Sequence, residues 1–130
     1  MVDPKTKAES GVLLVDKPEG WTSHDVVNCV RRRFRVRKVG HCGTLDPAAT
    51  GLLVLVMGRA TKLSDRLRGQ SKRYNGTMRL GVETSTQDRE GEVVSTHDPG
   101  PLTQQEILEA CAHYRGEIQQ IPPMVSAKKK

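Results

Sequence analysis

The longest uninterrupted apolar run in this chain is Leu52 to Met57, six residues bounded by Gly51 and Gly58. It falls far short of the roughly 18 residues needed to span a bilayer, so no membrane segment is expected. Its length and its glycine boundaries predict a short buried strand. The core around that strand must be aliphatic, because the 130 residues contain only four aromatics: Trp21, Phe34, Tyr74 and Tyr114. The same scarcity excludes a surface that stacks many successive bases. Any aromatic at a site would have to work singly.

The other elements arrange themselves around this strand. Gly11 to Val15 reads as a second short buried strand, stopped by the turn cluster Lys17-Pro18-Glu19-Gly20. Thr22-Ser23 can cap a helix whose Val26, Val27, Val30 and Phe34 follow helical spacing. Val39 to Gly51 lacks apolar periodicity and is expected to be a loop of about a dozen residues, a length usually kept for function. Ala60 to Leu67 predicts a short helix, and Lys72 to Leu80 alternates as a half-buried strand should. Gln87 to Gly91 forms a turn before Val93-Val94. Thr103 with Glu106 makes a capping box, opening a helix with Ile107, Leu108, Cys111 and Tyr114 on one side and Gly116 as its stop. Glu117 to Ile121 is expected as a last strand, broken by Pro122-Pro123. Strands and helices mix irregularly, which favours α+β over a doubly wound α/β class. Residues 1–10 form a polar tail ahead of the domain.

Net charge is +6, but its distribution is more informative than its total. Asn28 to Val82 carries a net +11, while the segments before and after it are −2 and −3. Such a biased middle predicts a polyanionic partner, the alternative being a solvated basic face. Arg31, Arg32, Arg33, Arg35, Arg37 and Lys38 crowd the end of the first helix. A helix dipole accounts for two or three of these cations, not for six in eight positions. Cys29, Cys42 and Cys111 lie 13 and 69 residues apart, which fits neither a zinc framework nor a disulfide scaffold. An odd cysteine count and no secretory leader suit the cytoplasm. No metal is expected.

Within Gly40-His41-Cys42-Gly43-Thr44-Leu45-Asp46-Pro47-Ala48-Ala49-Thr50-Gly51, Asp46 is the one acid. Pro47 biases Asp46 towards an extended backbone, and the glycines permit unusual turns, so the loop can hold one carboxylate in a fixed pose. A carboxylate ringed by positive charge suits a nucleophile or an electrostatic stabiliser. The other reading is a turn aspartate bonding its own backbone. The G-x-x-G at Gly40 to Gly43 is too short to identify a KH domain, and there is no Walker A or G-x-G-x-x-G. Adjacent His41 and Cys42 rarely face each other as a nucleophile pair. Asp65 falls beyond the loop, which makes a two-carboxylate glycosidase hard to build.

Gly40 to Leu53 closely resembles the signature loop of the TruB pseudouridine synthases, G-H-x-G-T-L-D-P-x-A-T-G-x-L. Gly11 to Ser23 resembles the family's opening motif, and Gly58-Arg59-Ala60-Thr61-Lys62, Lys72-Arg73-Tyr74, Arg79-Leu80-Gly81, Asp88-Arg89-Glu90-Gly91 and Pro122 to Ala127 follow in family order. The resemblance implies the pseudouridine synthase fold, a mixed and mostly antiparallel sheet with flanking helices. It also implies isomerisation of uridine in RNA, notably uridine-55 in the T arm of tRNA, to pseudouridine with no cofactor and no obligate protein partner. Asp46 would then be the catalytic aspartate, acting on the ribose as a nucleophile or in a proton abstraction. Tyr74 would pack on the flipped base and His41 would support the rearranged RNA loop. Gly43 and Thr44 of the matched loop would contribute to substrate binding. By charge, Lys17, Arg59 and Lys72 are further substrate-binding candidates, with Lys62, Arg68 and Arg73, and Arg31, Arg32, Arg33, Arg35, Arg37 and Lys38 are candidates for the RNA backbone; each of these cations singly also reads as a solvated surface charge. Without the resemblance, Tyr74 reads as a core aromatic of a strand and His41 as a loop histidine bonded to backbone.

The family's later motif, with an arginine that pairs with the aspartate, has no counterpart here, nor has its C-terminal RNA-binding extension. Residues 11–130 are therefore expected to be the N-terminal part of an incomplete catalytic domain. The competing expectation is a module that holds a tRNA arm without chemistry. Guide-RNA relatives that share the aspartate loop are disfavoured by the Pro122 to Ala127 stretch.

Overall fold

The computed structural model describes residues 10–121, which divide into two compact units meeting between Arg73 and Tyr74. The first unit is built on a three-stranded antiparallel sheet. Strand β1 (Gly11–Lys17) and strand β3 (Gly51–Met57) pair along their full lengths, from Gly11 opposite Met57 to Lys17 opposite Gly51. The short β2 (Val39–His41) pairs with the other edge of β3, giving the order β1-β3-β2. The apolar run thus lies in the central strand.

One face of this sheet is covered by helix α1 (Ser23–Phe34). Its Thr22 cap is a full capping box: the Thr22 hydroxyl accepts from the Asp25 N–H, and the Asp25 carboxylate accepts from the Thr22 N–H at 2.8 Å. Val26, Val27 and Val30 of α1 pack with Leu53, Leu55 and Met57 of β3 and with Val36, Val39 and Leu45, flanked by Leu13 and Val15 of β1. The core is entirely aliphatic, as the composition requires. Phe34 departs from the helical expectation, lying exposed at the end of α1. The helix ends there because Arg35 adopts a left-handed backbone, φ 53°, a place glycine more often takes. The opposite face of the sheet carries Val12, Leu14 and Leu52, all exposed.

Three expectations in this unit change. The first strand runs on to Lys17, because Lys17 still pairs with Gly51. The loop expected over residues 39–51 begins only after His41, since Val39 and Gly40 find partners on β3. The helix expected over Ala60 to Leu67 is a 3-10 helix, Gly58–Leu63, followed by the short α2, Ser64–Arg68.

The second unit holds an antiparallel pair, β4 (Val82–Thr84) and β5 (Val93–Thr96), and helix α3 (Gln104–Ala112) with the expected capping box at Thr103 and Glu106. The turn between the strands is organised by Asp88, whose carboxylate accepts from the Thr86 hydroxyl and from the N–H groups of Glu90 and Gly91. These bonds, the Thr86 hydroxyl foremost, hold the Asp88 carboxyl below its ordinary range. Lys72 to Leu80 is not a strand: its alternating face finds no partner, and Met78 is 82% exposed. Glu117 to Ile121 likewise forms no strand, with Ile121 exposed. Helix α3 stops at Ala112, four residues before Gly116, and its Ile107 and Leu108, with Tyr114 beyond its end, remain exposed. Both sheets are antiparallel, in keeping with the α+β expectation. The expected Pro122-Pro123 break, the motif from Pro122 to Ala127 and nearly all of the polar tail lie outside the described residues.

Leu55 is fully buried at the centre of β3. Leu55→Ala is expected to lower unfolding stability by about 2 to 5 kcal/mol, through lost transfer energy and a residual cavity. Urea denaturation checks this; a midpoint unchanged from the parent chain would place the core elsewhere.

Candidate functional site

The segment between β2 and β3 carries Asp46, and its backbone is fixed from three directions. At its start, the Cys42 N–H donates to the Val54 carbonyl at 2.8 Å, prolonging the β2 pairing. On the near side of Asp46, the Ser23 hydroxyl both accepts from the Leu45 N–H at 2.9 Å and donates to the Leu45 carbonyl at 3.2 Å. Both residues are buried. On the far side, the Pro47 carbonyl accepts from the Gly20 N–H at 2.7 Å and from Lys17 Nζ at 3.2 Å. Gly20 reaches this position with φ +81°, a conformation that favours glycine.

Lys17 is fully buried, and its nitrogen also donates to the carbonyls of Trp21 at 2.6 Å and Pro18 at 3.0 Å. A lysine nitrogen has three donors, and three carbonyl oxygens meet them. This corrects the expectation that Lys17 binds substrate: the nitrogen faces inward and is saturated. It belongs under the loop, bracing the turn after β1 against Pro47.

Asp46 itself is exposed, with its own carbonyl accepting from the Ala49 N–H at 3.0 Å to close the turn. Leu45 and Pro47 are thus held by protein while the carboxylate between them projects to solvent. His41 is half-buried, and Nδ1–H donates to the Gly43 carbonyl at 2.8 Å, leaving Nε2 without a partner among the described residues. Gly43 adopts φ +150°, and a Cβ placed there would come within 3.1 Å of Lys72 Cε. Lys72 therefore crosses the loop at Gly43, with its nitrogen donating to the Arg68 carbonyl at 3.1 Å. Thr44 and the Arg59 side chain lie towards solvent, and the Arg59 N–H donates to the Ser10 hydroxyl.

The arginine run divides by role. The Arg31 guanidinium donates to the Val39 carbonyl at 3.0 Å and to Asn28 Oδ1 at 3.4 Å, tying α1 to β2, while Arg35 supplies the left-handed helix end. Arg32, Arg33, Arg37 and Lys38 present exposed side chains. Tyr74 is the first residue of the second unit and is 64% exposed, so it is not a core aromatic. Cys42 is buried, and desolvation pushes its thiol above the ordinary range against a smaller opposing effect of Arg68. A protonated, enclosed thiol is a poor nucleophile. Among the described residues no group of three or more His, Cys, Asp or Glu could hold a metal ion, and no helix is long and apolar enough to cross a membrane.

Sequence reasoning misses Ser23 and Gly20 as site residues. Ser23 stands beside Thr22 as an interchangeable cap, and its long reach to Leu45 has no periodic signal.

Residues 31–130 match the model of the TruB family pseudouridylate synthase N-terminal domain. The chain is 56% identical over 120 residues to a tRNA pseudouridine synthase B of Arthrobacter sp. (strain FB24), covering 92% of this chain and 39% of the relative. Proteins of the same name from Syntrophotalea carbinolica and Opitutus terrae are 50% and 49% identical, over 93% and 99% of this chain and 40% and 53% of the relatives. The chain spans about two-fifths to one-half of the length of these curated relatives.

Lys17→Met would leave three carbonyls without their donor, and the expected loss of stability is about 2 to 4 kcal/mol. Ser23→Ala, which strands the Leu45 N–H and carbonyl, is expected to cost about 1 to 3 kcal/mol. Urea midpoints measure both. Parent-like midpoints would show that water replaces these side chains without cost.

Proposed function

This chain belongs to the TruB family of pseudouridylate synthases, and from that membership we propose that it isomerises uridine in tRNA to pseudouridine, with Asp46 acting on the target ribose. The observation that carries the assignment is the presentation of Asp46. Its neighbours are bonded by Ser23, Gly20 and Lys17, and its carboxylate alone faces outward. Fixing the backbone on both sides confines the carboxylate to its own side-chain rotations, which reduces the reorganisation needed when a ribose arrives.

The target base must first leave its stack, at a cost of a few kcal/mol that phosphate contacts offset. The N1–C1′ bond then breaks with its electron pair leaving on uracil N1, while the Asp46 carboxylate either bonds C1′ or takes the C2′ proton to give a glycal. The uracil turns and C5 bonds C1′ as the ester to Asp46 breaks or the proton returns to C2′; the C5 proton then passes to water and N1 takes one up. Nothing is oxidised or reduced, so the step calls for no cofactor. Tyr74 packs on the extruded base, His41 supports the RNA loop through its unpartnered Nε2, and Thr44 and the Gly43 backbone line the approach. Arg59, Lys72, Arg32, Arg33, Arg37 and Lys38 meet phosphates. Within this reading the substrate is uridine-55 of the T arm, met in the cytoplasm without an obligate protein partner, as the resemblance of the Gly40 to Leu53 loop implies. Residues 11–130 contribute the N-terminal part of a pseudouridine synthase fold.

Tritium release from tRNA carrying 5-tritiated uridine tests this reading. Release is expected from the parent chain, and Asp46→Asn should reduce it by about 100-fold or more. Release that survives Asp46→Asn would overturn the mechanism. Salt-sensitive tRNA binding by the parent chain without release would make it an RNA-holding module.

The exposed arginines give a second test. Replacing Arg32 and Arg33 by Gln should flatten the dependence of log K on log salt by about 0.7 to 0.9 for each phosphate that is no longer neutralised. An unchanged slope would mark them as a solvated helix end.

A further inference from the structure

Beside the Asp46 loop lies an open cleft of about 610 Å³, lined by Gly20, Trp21, Asp25, Asn28, Arg31 and Arg32. We propose that this cleft is a second nucleotide site, which stacks one unpaired base of the bound RNA on Trp21 beside the nucleotide presented to Asp46. The proposal rests on the reading of the chain as an RNA-acting protein and adds a subsite to it.

Four observations support the assignment. Trp21 is the only tryptophan, in a chain with few aromatics, yet it is 42% exposed rather than spent on the aliphatic core. An indole left at the wall of a basic cleft offers a face on which any base can stack. Next, the side of α1 away from its buried face presents Asp25, Asn28 and Arg32 at helical spacing, over a rise of about 10 Å. Asn28 Oδ1 accepts from Arg31, so the amide nitrogen remains as a donor with no partner among the described residues. It suits a carbonyl acceptor on a base edge.

Charge orders the two ends of the cleft. The Asp25 carboxylate, engaged in the capping box, would repel a phosphate near Trp21, whereas the exposed Arg32 attracts one at the far end. A nucleotide therefore enters with its base towards Trp21 and Asn28 and its phosphate towards Arg32. Arg31 has both terminal nitrogens bonded to protein and supplies fixed positive charge rather than a mobile contact. Finally, Gly20 joins the cleft to the catalytic loop through its 2.7 Å bond to the Pro47 carbonyl, and the Trp21 carbonyl is held by the same Lys17 nitrogen. The two places are thus parts of one rigid framework, which makes the occupant a nucleotide flanking the target.

Because Trp21 is the sole indole, its fluorescence reports on the cleft without labels. The experiment titrates the 130-residue chain with a T-arm hairpin RNA, following tryptophan emission and, in parallel, the anisotropy of end-labelled hairpin. Quenching that saturates with the anisotropy is expected. Trp21→Leu should weaken binding by about 5- to 100-fold and Trp21→Phe by much less, since a ring still stacks. Asp46→Asn should quench like the parent. Anisotropy that rises without quenching, no binding of the hairpin, or equal quenching by polyphosphate, which has no bases, would each overturn the site. Tritium release separates this outcome from the proposed function: release without quenching removes only the cleft, and quenching without release removes only the chemistry.

Discussion

Three carbonyl oxygens converge on the side-chain nitrogen of Lys17, and the geometry around Asp46 depends on that convergence. A lysine nitrogen is costly to bury unless its donors are met. Here they are met by the turn that follows β1 and by the residue that follows Asp46, so placing the lysine and placing the carboxylate are one event. Strand β1 delivers Lys17 to the sheet end opposite Gly51, where β3 begins. The apolar run in β3 thereby sets the position of a polar lock at its own edge.

Ser23 completes the arrangement from the other side. Thr22 takes the helix cap, which frees the next hydroxyl to bond both backbone groups of Leu45 as a strand partner would. The two neighbours of Asp46 are thus held by different elements, the turn after β1 and the start of α1. A carboxylate on a free loop would sample many poses. With the backbone bonded on both sides, only the rotations of the exposed side chain itself remain.

Much of the first unit is legible in the sequence, because its signals are local. The apolar run, the Thr22 cap and the valines of α1 each announce an element through spacing that the core then confirms. Lys17 and Ser23 are harder for a physical reason: each acts across 22 to 30 residues, and no periodicity encodes a bond that only folding creates. By itself Lys17 reads as a surface charge for the same reason. The alternation from Lys72 to Leu80, a segment that runs across the boundary between the units, misleads, since alternation marks a strand only where a partner edge exists to satisfy it. Asp46 stands out in the sequence as the one acid of its loop and one of two in a basic segment, and in the structure it is exposed between two residues whose backbones are bonded.

The arginine run shows how one charge pattern serves several ends. Arg31 and Arg35 are used in the fold, whereas Arg32, Arg33, Arg37 and Lys38 face solvent. The Lys17 and Ser23 bonds hold the backbone on both sides of Asp46. Amide hydrogen exchange of Gly20 and Leu45, the donors to Pro47 and Ser23, tests this most directly. Protection comparable with the amides of β3 is the expected result; exchange as fast as that of exposed loop amides would contradict it.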